Sequence, residues 1–217
     1  MIRVVLADDQ SLLRAGLRSV LAAEDDLIVV GEASDGAQAA RTAQTLDADV
    51  VLMDVQMPGV DGIEGVRRMA AGGARAKVLM LTMFDLDEYV YSALRAGASG
   101  FLLKSAQPEE IVRAVRDVHD GALLFAPTVT KRLVEAYVRT PPAADGVPDA
   151  LASLTERELD VVSGIARGLS NAEIGAELHL GAATIKAHVS SILAKLELRD
   201  RVQVVVLAYE SGFATAR

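Results

Sequence analysis

Three aspartates, one threonine and one lysine each stand directly after a short apolar run. Asp8 and Asp9 follow Ile2–Ala7, Asp54 follows Val50–Met53, Thr82 follows Lys77–Leu81 and Lys104 follows Gly100–Leu103. If those runs are parallel strands of one sheet, their carboxyl ends share an edge and the five side chains converge there. Three carboxylates that close repel one another, so the ionised cluster needs a cation. Oxygen donors of this kind select a hard divalent ion, and Mg²⁺, which keeps several of its waters, is the natural guest. A phosphoryl group then fits. The metal and the Lys104 ammonium would neutralise its equatorial oxygens, Thr82 would donate a hydrogen bond, and Asp54 would attack in line to form an acyl phosphate. Singly, each residue has a plainer reading as a turn aspartate, a solvated lysine or a capping threonine. Four strand ends that each deliver a group phosphoryl transfer requires set this group apart.

The elements that must position these residues are visible in the apolar pattern. Residues 1–120 alternate strand-like runs with helix-period segments, as βα units around a parallel sheet do. Leu27–Gly31 completes the set of five strands. Leu13, Leu17, Val20 and Leu21 form one stripe of a first helix, and Gly36–Leu46, Ile63–Ala71, Leu86–Ala96 and Gln107–Asp120 read as the others. Strict alternation predicts an α/β, flavodoxin-like, five-stranded doubly wound sheet. A further helix is expected over Thr128–Arg139, followed by a linker: residues 140–150 hold three of the six prolines. The expected division is thus 1–120, a connecting segment 121–150, and a separate all-α unit 151–217.

That last unit begins with two capping boxes, Thr155-Glu-Arg-Glu158 and Ser170-Asn-Ala-Glu173, and Gly181 opens a third helix. Four helices are predicted, at Thr155–Arg167, Asn171–Leu178, Ala182–Leu196 and Arg201–Ser211. Only His179-Leu-Gly separates the second from the third, a length suited to a helix-turn-helix. In the third, Ile185, Val189, Ile192, Leu193 and Leu196 define a buried stripe. The opposite face presents Thr184, Lys186, Ala187, Ser190, Ser191, Ala194 and Lys195, small or cationic and without a carboxylate. Small side chains let a helix sit deep in the major groove while lysines reach bases and phosphates; the alternative is an ordinary solvated face. The last helix carries one stripe of Val202, Val205, Val206 and Tyr209 and a second of Val204, Leu207 and Ala208. One packing face does not need both, so the second is expected to pair with another copy of the chain, setting two recognition helices about one DNA turn apart.

Bulk composition agrees. Of 217 residues, 51% are hydrophobic, and there is no cysteine, which excludes disulfides, thiolate metal sites and a cysteine nucleophile. No signal peptide or membrane-spanning run is apparent, so a cytoplasmic protein without membrane association is expected. Lys and Arg number 22 against 30 Asp and Glu, but residues 1–150 hold 15 against 22 and residues 151–217 hold 7 against 8. The C-terminal unit is therefore not repulsive to a polyanion as a whole. An enzyme using Asp54 on a small phosphoester would need a general acid for turnover, and no His or Glu stands out near the strand ends. A small-molecule sensor calls for an aromatic-lined cavity, yet aromatics are 4% of the chain. No Gly-x-Gly-x-x-Gly follows the first strand, which argues against a dinucleotide site.

Leu-Ala-Asp-Asp-Gln, Leu-Met-Asp-Val-Gln-Met-Pro-Gly-Val-Asp-Gly, Met-Leu-Thr and Gly-Phe-Leu-Leu-Lys resemble the signature segments of two-component receiver domains, over roughly residues 1–120. That resemblance implies Asp54 as phosphoacceptor, with Asp9 and Asp54 holding Mg²⁺ directly, Asp8 helping through water, and the Gln56 carbonyl as a backbone ligand. It makes Thr82 the switch hydroxyl and Phe101 the switch aromatic, here without the hydroxyl of the more usual tyrosine. Gln56 and Phe84, each two residues beyond a key residue, are expected to shield the acyl phosphate from water. Leu-Thr-Glu-Arg-Glu-Leu-Asp-Val-Val, Gly-Leu-Ser-Asn-Ala-Glu-Ile-Gly and Ala-Thr-Ile-Lys-Ala-His-Val-Ser-Ser-Ile-Leu-Ala-Lys-Leu resemble the LuxR-type DNA-binding domain of NarL/FixJ-family regulators, over about 151–213. The resemblance implies base-edge contacts from Lys186, Ala187 and Ser190, and backbone contacts from Thr184, His188, Ser191 and Lys195; for His188 a plain flanking place is the alternative. Gly181, Ala187 and Ser191 depart from the residues common there, so the operator preference of relatives does not carry over. A response regulator is thereby implied, with a sensor histidine kinase and an operator in double-stranded DNA as partners and a homodimer when phosphorylated.

Overall fold

The computed structural model describes residues 1–83, 87–121 and 148–214, and the side chains of these except 87, 88 and 91. The expected helix Thr128–Arg139, most of the proline-rich linker and Phe84 lie outside the described residues. The chain divides into two compact units, described in turn.

The N-terminal unit is a five-stranded sheet: β1 Ile2–Ala7, β2 Leu27–Ala33, β3 Val50–Asp54, β4 Lys77–Thr82 and β5 Gly100–Leu103. The order is β2-β1-β3-β4-β5 and every pair is parallel. Helices α1 Ser11–Leu21, α2 Gly36–Thr45, α3 Gly62–Ala71, α4 Asp87–Ala96 and α5 Pro108–His119 alternate with the strands. A parallel sheet covered on both faces needs continuous apolar strands, and Val4, Leu6, Val51, Leu52, Leu79 and Met80 are fully buried. Leu6, Leu52 and Leu79 belong to one core cluster with Leu17 and Leu21 of α1 and Ile111 and Val115 of α5. Each such side chain contributes roughly 1.5–3 kcal/mol. A surface pair such as Glu64–Arg68, at 3.1 Å, adds at most about 0.5 kcal/mol. Packing, not surface charge, holds this unit.

Register carries the strand ends to a common edge. Ala7 lies opposite Met53, Asp54 opposite Leu81 and Thr82 opposite Leu103. The strand order turns back between β1 and β3, which makes the crevice beyond their carboxyl ends the switch point where ligands bind such sheets. Close helix approach fixes that crevice. A Cβ on Gly62 would stand 1.9 Å from the Asp54 carbonyl oxygen, and one on Gly36 would stand 2.2 Å from the Asp61 carbonyl. The start of α3, capped by Asp61 through the Glu64 amide, therefore sits against the end of β3 with no room for a side chain.

The C-terminal unit has a 3₁₀ turn at Asp149–Leu151 and helices α6 Glu156–Ala166, α7 Asn171–Leu178, α8 Ala182–Lys195 and α9 Arg201–Glu210. Both capping boxes form as the sequence indicates. His179 takes a left-handed conformation, φ 56°, at the end of α7, and a Cβ on Gly175 would stand 2.5 Å from the Leu180 carbonyl oxygen. The turn between α7 and α8 is tight for that reason. Ile185 and Ile192 of α8 are fully buried, as are Val161, Val162 and Ile165 of α6. Arg201 is buried and donates to the Asn171 side chain and the Leu169 carbonyl. Its burial, without an anionic partner among these contacts, lowers its pKa to about 10.

Candidate functional site

At the edge of the parallel sheet, carboxylate oxygens of Asp8, Asp9 and Asp54 lie within 4.8 Å of one another. Asp8 and Asp54 are 1% and 5% exposed, while Asp9 stays open to solvent. The Lys104 ammonium reaches over from the end of β5 to 2.7 Å from Asp8 Oδ2 and 2.8 Å from Asp54 Oδ2. Thr82 completes the rim and is itself buried. Strand ends on β1, β3, β4 and β5 thus bring together all five residues named from the sequence. Four of them, Asp9, Asp54, Thr82 and Lys104, line a pocket of about 680 Å³ together with Gln56, Met57 and Tyr89, and Asp8 lies buried behind them.

Electrostatics follow from burial. Desolvation is the largest influence on Asp54 and raises its carboxyl above the ordinary range; Lys104 pulls the other way and the Asp8 charge adds to the rise. Burial also acts against the Lys104 cation, but the close carboxylates of Asp54 and Asp8 outweigh that, and its pKa rises. Lys104 is therefore held charged, whereas ionised Asp54 is short of positive charge. Asp8 Oδ2 is buried with the ammonium beside it but no aligned hydrogen bond. Such an oxygen, with the exposed Asp9 across from it, fits a hard divalent cation.

Two supports escaped sequence reasoning. Arg14 donates to the Asp8 carbonyl at 2.5 Å and to Glu32 at 2.9 Å, clamping the turn after β1. Gly62 gives the clearance described above. Neither has a sequence signal beyond its type, because an arginine on an exposed helix face and a glycine at a helix start are both common. Phe101 is 9% exposed, packed inward rather than standing on the surface.

In the C-terminal unit, Thr184, Lys186, Ala187 and Ser190 of α8 are exposed and His188 is half-buried. Ser191 and Lys195 differ from the expectation of a uniformly open face. The Ser191 hydroxyl donates to Glu158 Oε1 at 2.7 Å and the Lys195 ammonium lies 2.6 Å from Glu158 Oε2. The face lacks a carboxylate of its own, but α6 supplies one. The capping-box spacing identified Glu158 as a partner of Thr155 and said nothing of its second oxygen. Burial opposes ionisation of Glu158, but Lys195, Thr155 and Ser191 more than offset it, and its pKa falls to about 2.

The expected pairing stripe on α9 is corrected by burial. Val204 and Ala208 are 1% and 0% exposed in the single chain, and only Leu207 is half-exposed. Almost the whole circumference of this short helix is already covered, so its surplus of apolar side chains is not by itself a free surface for a second copy.

A doubly wound sheet with this acidic crevice, joined to a helix-turn-helix unit, defines a response regulator. Residues 4–116 match the family described as response regulator receiver domain, and residues 152–208 match bacterial regulatory proteins, luxR family. The chain belongs to the response regulators with a LuxR-type DNA-binding domain, a family that regulates transcription. It is 37% identical over 217 residues to the transcriptional regulatory protein LnrK of Bacillus subtilis (strain 168), covering 98% of each chain. To the response regulator protein VraR of Staphylococcus aureus (strain NCTC 8325 / PS 47) it is 39% identical over 209 residues, with 96% and 97% covered. Its structure is similar to that of the response regulator ChrA of a heme-sensing two-component system, with a TM-score of 0.52, 38% identity and 96% of each chain covered. Among the described residues no helix is long and apolar enough to cross a membrane.

Proposed function

We propose that Asp54 is the phosphoacceptor and that its phosphorylation by a sensor histidine kinase controls binding of α8 to an operator in double-stranded DNA. The observation that carries the reading is the convergence of Asp8, Asp9 and Asp54 within 4.8 Å, with Lys104 bridging two of them. Asp9, Asp54 and the Gln56 carbonyl would hold Mg²⁺ directly and Asp8 would help through water. When bound, the ion neutralises charge that develops on the phosphoryl oxygens. Asp54 Oδ attacks phosphorus in line as the bond to the donor nitrogen breaks, and the leaving imidazole keeps the electron pair. Lys104 then turns from Asp54 to a phosphoryl oxygen, and the Thr82 hydroxyl donates to another. Gln56 stands at the mouth of the pocket, where it slows entry of the water that hydrolyses the acyl phosphate. The chain catalyses only its own phosphorylation and dephosphorylation, and it acts in the cytoplasm.

Residues 1–120 form the receiver, 121–150 the connecting segment and 151–217 the DNA-binding domain. Phosphorylation draws Thr82 inward and holds Phe101 in its buried position, which favours one of two arrangements of the chain. Lys186, Ala187 and Ser190 read base edges, Thr184 and His188 approach the backbone, and the phosphorylated chain binds as a homodimer. Support for the DNA face is its exposure and its small and cationic side chains. Incubation with Mg²⁺ and acetyl phosphate is expected to add one phosphoryl group by intact mass. The adduct should be absent from Asp54→Asn; an adduct of equal yield on that variant would overturn the assignment.

A further inference from the structure

Glu158 takes more donors than a cap requires. Its Oε2 receives the Thr155 amide at 2.8 Å and hydroxyl at 3.0 Å together with the Lys195 ammonium at 2.6 Å, and its Oε1 receives Ser191 at 2.7 Å. The Glu158 side chain is 5% exposed and that of Lys195 36%. An ion pair with one partner this buried resists screening far better than a surface pair. Both donors on α8 come from one side of the helix, one turn apart, so the carboxylate grips α8 at two points and sets its rotation about its own axis. The exposed residues Lys186, Ala187 and Ser190 then face outward at an angle that Glu158 fixes from the flank of the same face.

We propose that Glu158 is a positioning residue for DNA recognition: it orients α8 through Ser191 and Lys195 and keeps the Lys195 ammonium from binding DNA phosphates. The inference rests on α8 being the DNA-contacting helix. Its consequence is selectivity. A lysine free to reach any phosphate strengthens binding to every sequence alike, because phosphate contacts carry no base information. Held by Glu158, Lys195 adds nothing to non-specific affinity, and discrimination is left to the residues that Glu158 orients.

Glu158→Gln separates charge from shape. A glutamine preserves the capping box; its oxygen accepts from Thr155 and Lys195 and its amide donates to the Ser191 hydroxyl, which accepts as readily as it donates. Only the charge holding Lys195 is lost. The measurement is binding of the full chain, treated with Mg²⁺ and acetyl phosphate, to a mixed-sequence DNA duplex by fluorescence anisotropy across a salt series. Each phosphate-bound cation contributes about 0.9 to the slope of log K against log salt. Glu158→Gln is expected to steepen that slope by about 0.9, and Lys195→Gln added to it to restore the wild-type value. Lys195→Gln alone is expected to leave the slope unchanged. A slope that falls by about 0.9 in Lys195→Gln alone, or stays constant in a folded Glu158→Gln, overturns the proposal. If Glu158→Gln does not fold by circular dichroism, the Lys195→Gln arm decides. A wild-type chain that binds no duplex at any salt removes the DNA reading itself, a result distinct from either slope.

Discussion

At the scale of single residues, the N-terminal site has an unbalanced charge. Lys104 is shared by two buried carboxylates, and Asp54 retains a raised pKa despite it. The sign of the pH dependence follows. A carboxyl whose folded pKa lies above its unfolded one binds its proton more tightly when folded, so Asp54 favours the folded state at low pH, and that contribution fades as pH rises through the folded pKa. A divalent ion acts oppositely because it binds only the ionised cluster. Addition of Mg²⁺ is therefore expected to raise the Tm of the N-terminal unit at neutral pH. Saturation to a hundred times Kd corresponds to about 2.7 kcal/mol. The rise should shrink as pH is lowered into the titration range of Asp54 and be much reduced in Asp9→Asn at any pH. Calorimetry with and without the ion at several pH values measures this; a Tm gain that grows on acidification would contradict the charge assignment.

Among the elements, the strands were the most legible and the polar supports the least. β1 and β5 have the bounds their apolar runs indicate, and β2, β3 and β4 extend by one or two residues into Ala33, Asp54 and Thr82. The reason is physical: a polar side chain interrupts the apolar run but not the backbone pairing, Glu32 within β2 and the functional Asp54 and Thr82 at the last ladder positions of β3 and β4. All five site residues were visible because apolar runs announce parallel strands and the residue after each must reach the same edge. Arg14, Gly62 and the outer oxygen of Glu158 were not, since each acts through a contact between two different elements that neither periodicity nor a capping pattern registers. The stripe on α9 misled for a related reason. Periodicity counts apolar faces without saying which neighbours cover them, and Val204 and Ala208 are covered within the chain. Val204→Glu, which buries an unpaired carboxylate, is therefore expected to cost on the order of 3 kcal/mol or more and to unfold the C-terminal unit on mild heating. Leu207→Glu, half-exposed, should cost less than about 1 kcal/mol. Thermal melts by circular dichroism distinguish the two, and equal losses would show that α9 is more open than its burial indicates. Leu207→Glu, which leaves the covered positions untouched, is thus the variant that tests pairing of two copies through this helix.

For the whole molecule, the two units must exchange free energy if phosphorylation is to govern transcription. A receiver that binds a phosphoryl group equally well in every arrangement of the chain shifts nothing, however tightly it binds. Control therefore demands that the arrangement favoured by phosphorylated Asp54 also be the one that binds DNA better, and the coupling is necessarily reciprocal. Coupling between sites typically amounts to about 1–3 kcal/mol, or roughly 5- to 150-fold in affinity. Reciprocity is best tested with a ligand that binds reversibly, because acetyl phosphate sets a steady state and not an equilibrium. Beryllofluoride with Mg²⁺, a non-covalent mimic of the phosphoryl group, serves. It is expected to tighten the full chain's hold on its operator by a factor within that range, and operator DNA should tighten the chain's hold on beryllofluoride by the same factor. Asp54→Asn should bind DNA with the affinity of the untreated chain and show neither effect. Titration calorimetry in both directions provides the two factors. Equal factors above one establish that the acidic crevice and the recognition helix bias one equilibrium; a factor of one in both directions would mean that the two units, though joined in one chain, act independently.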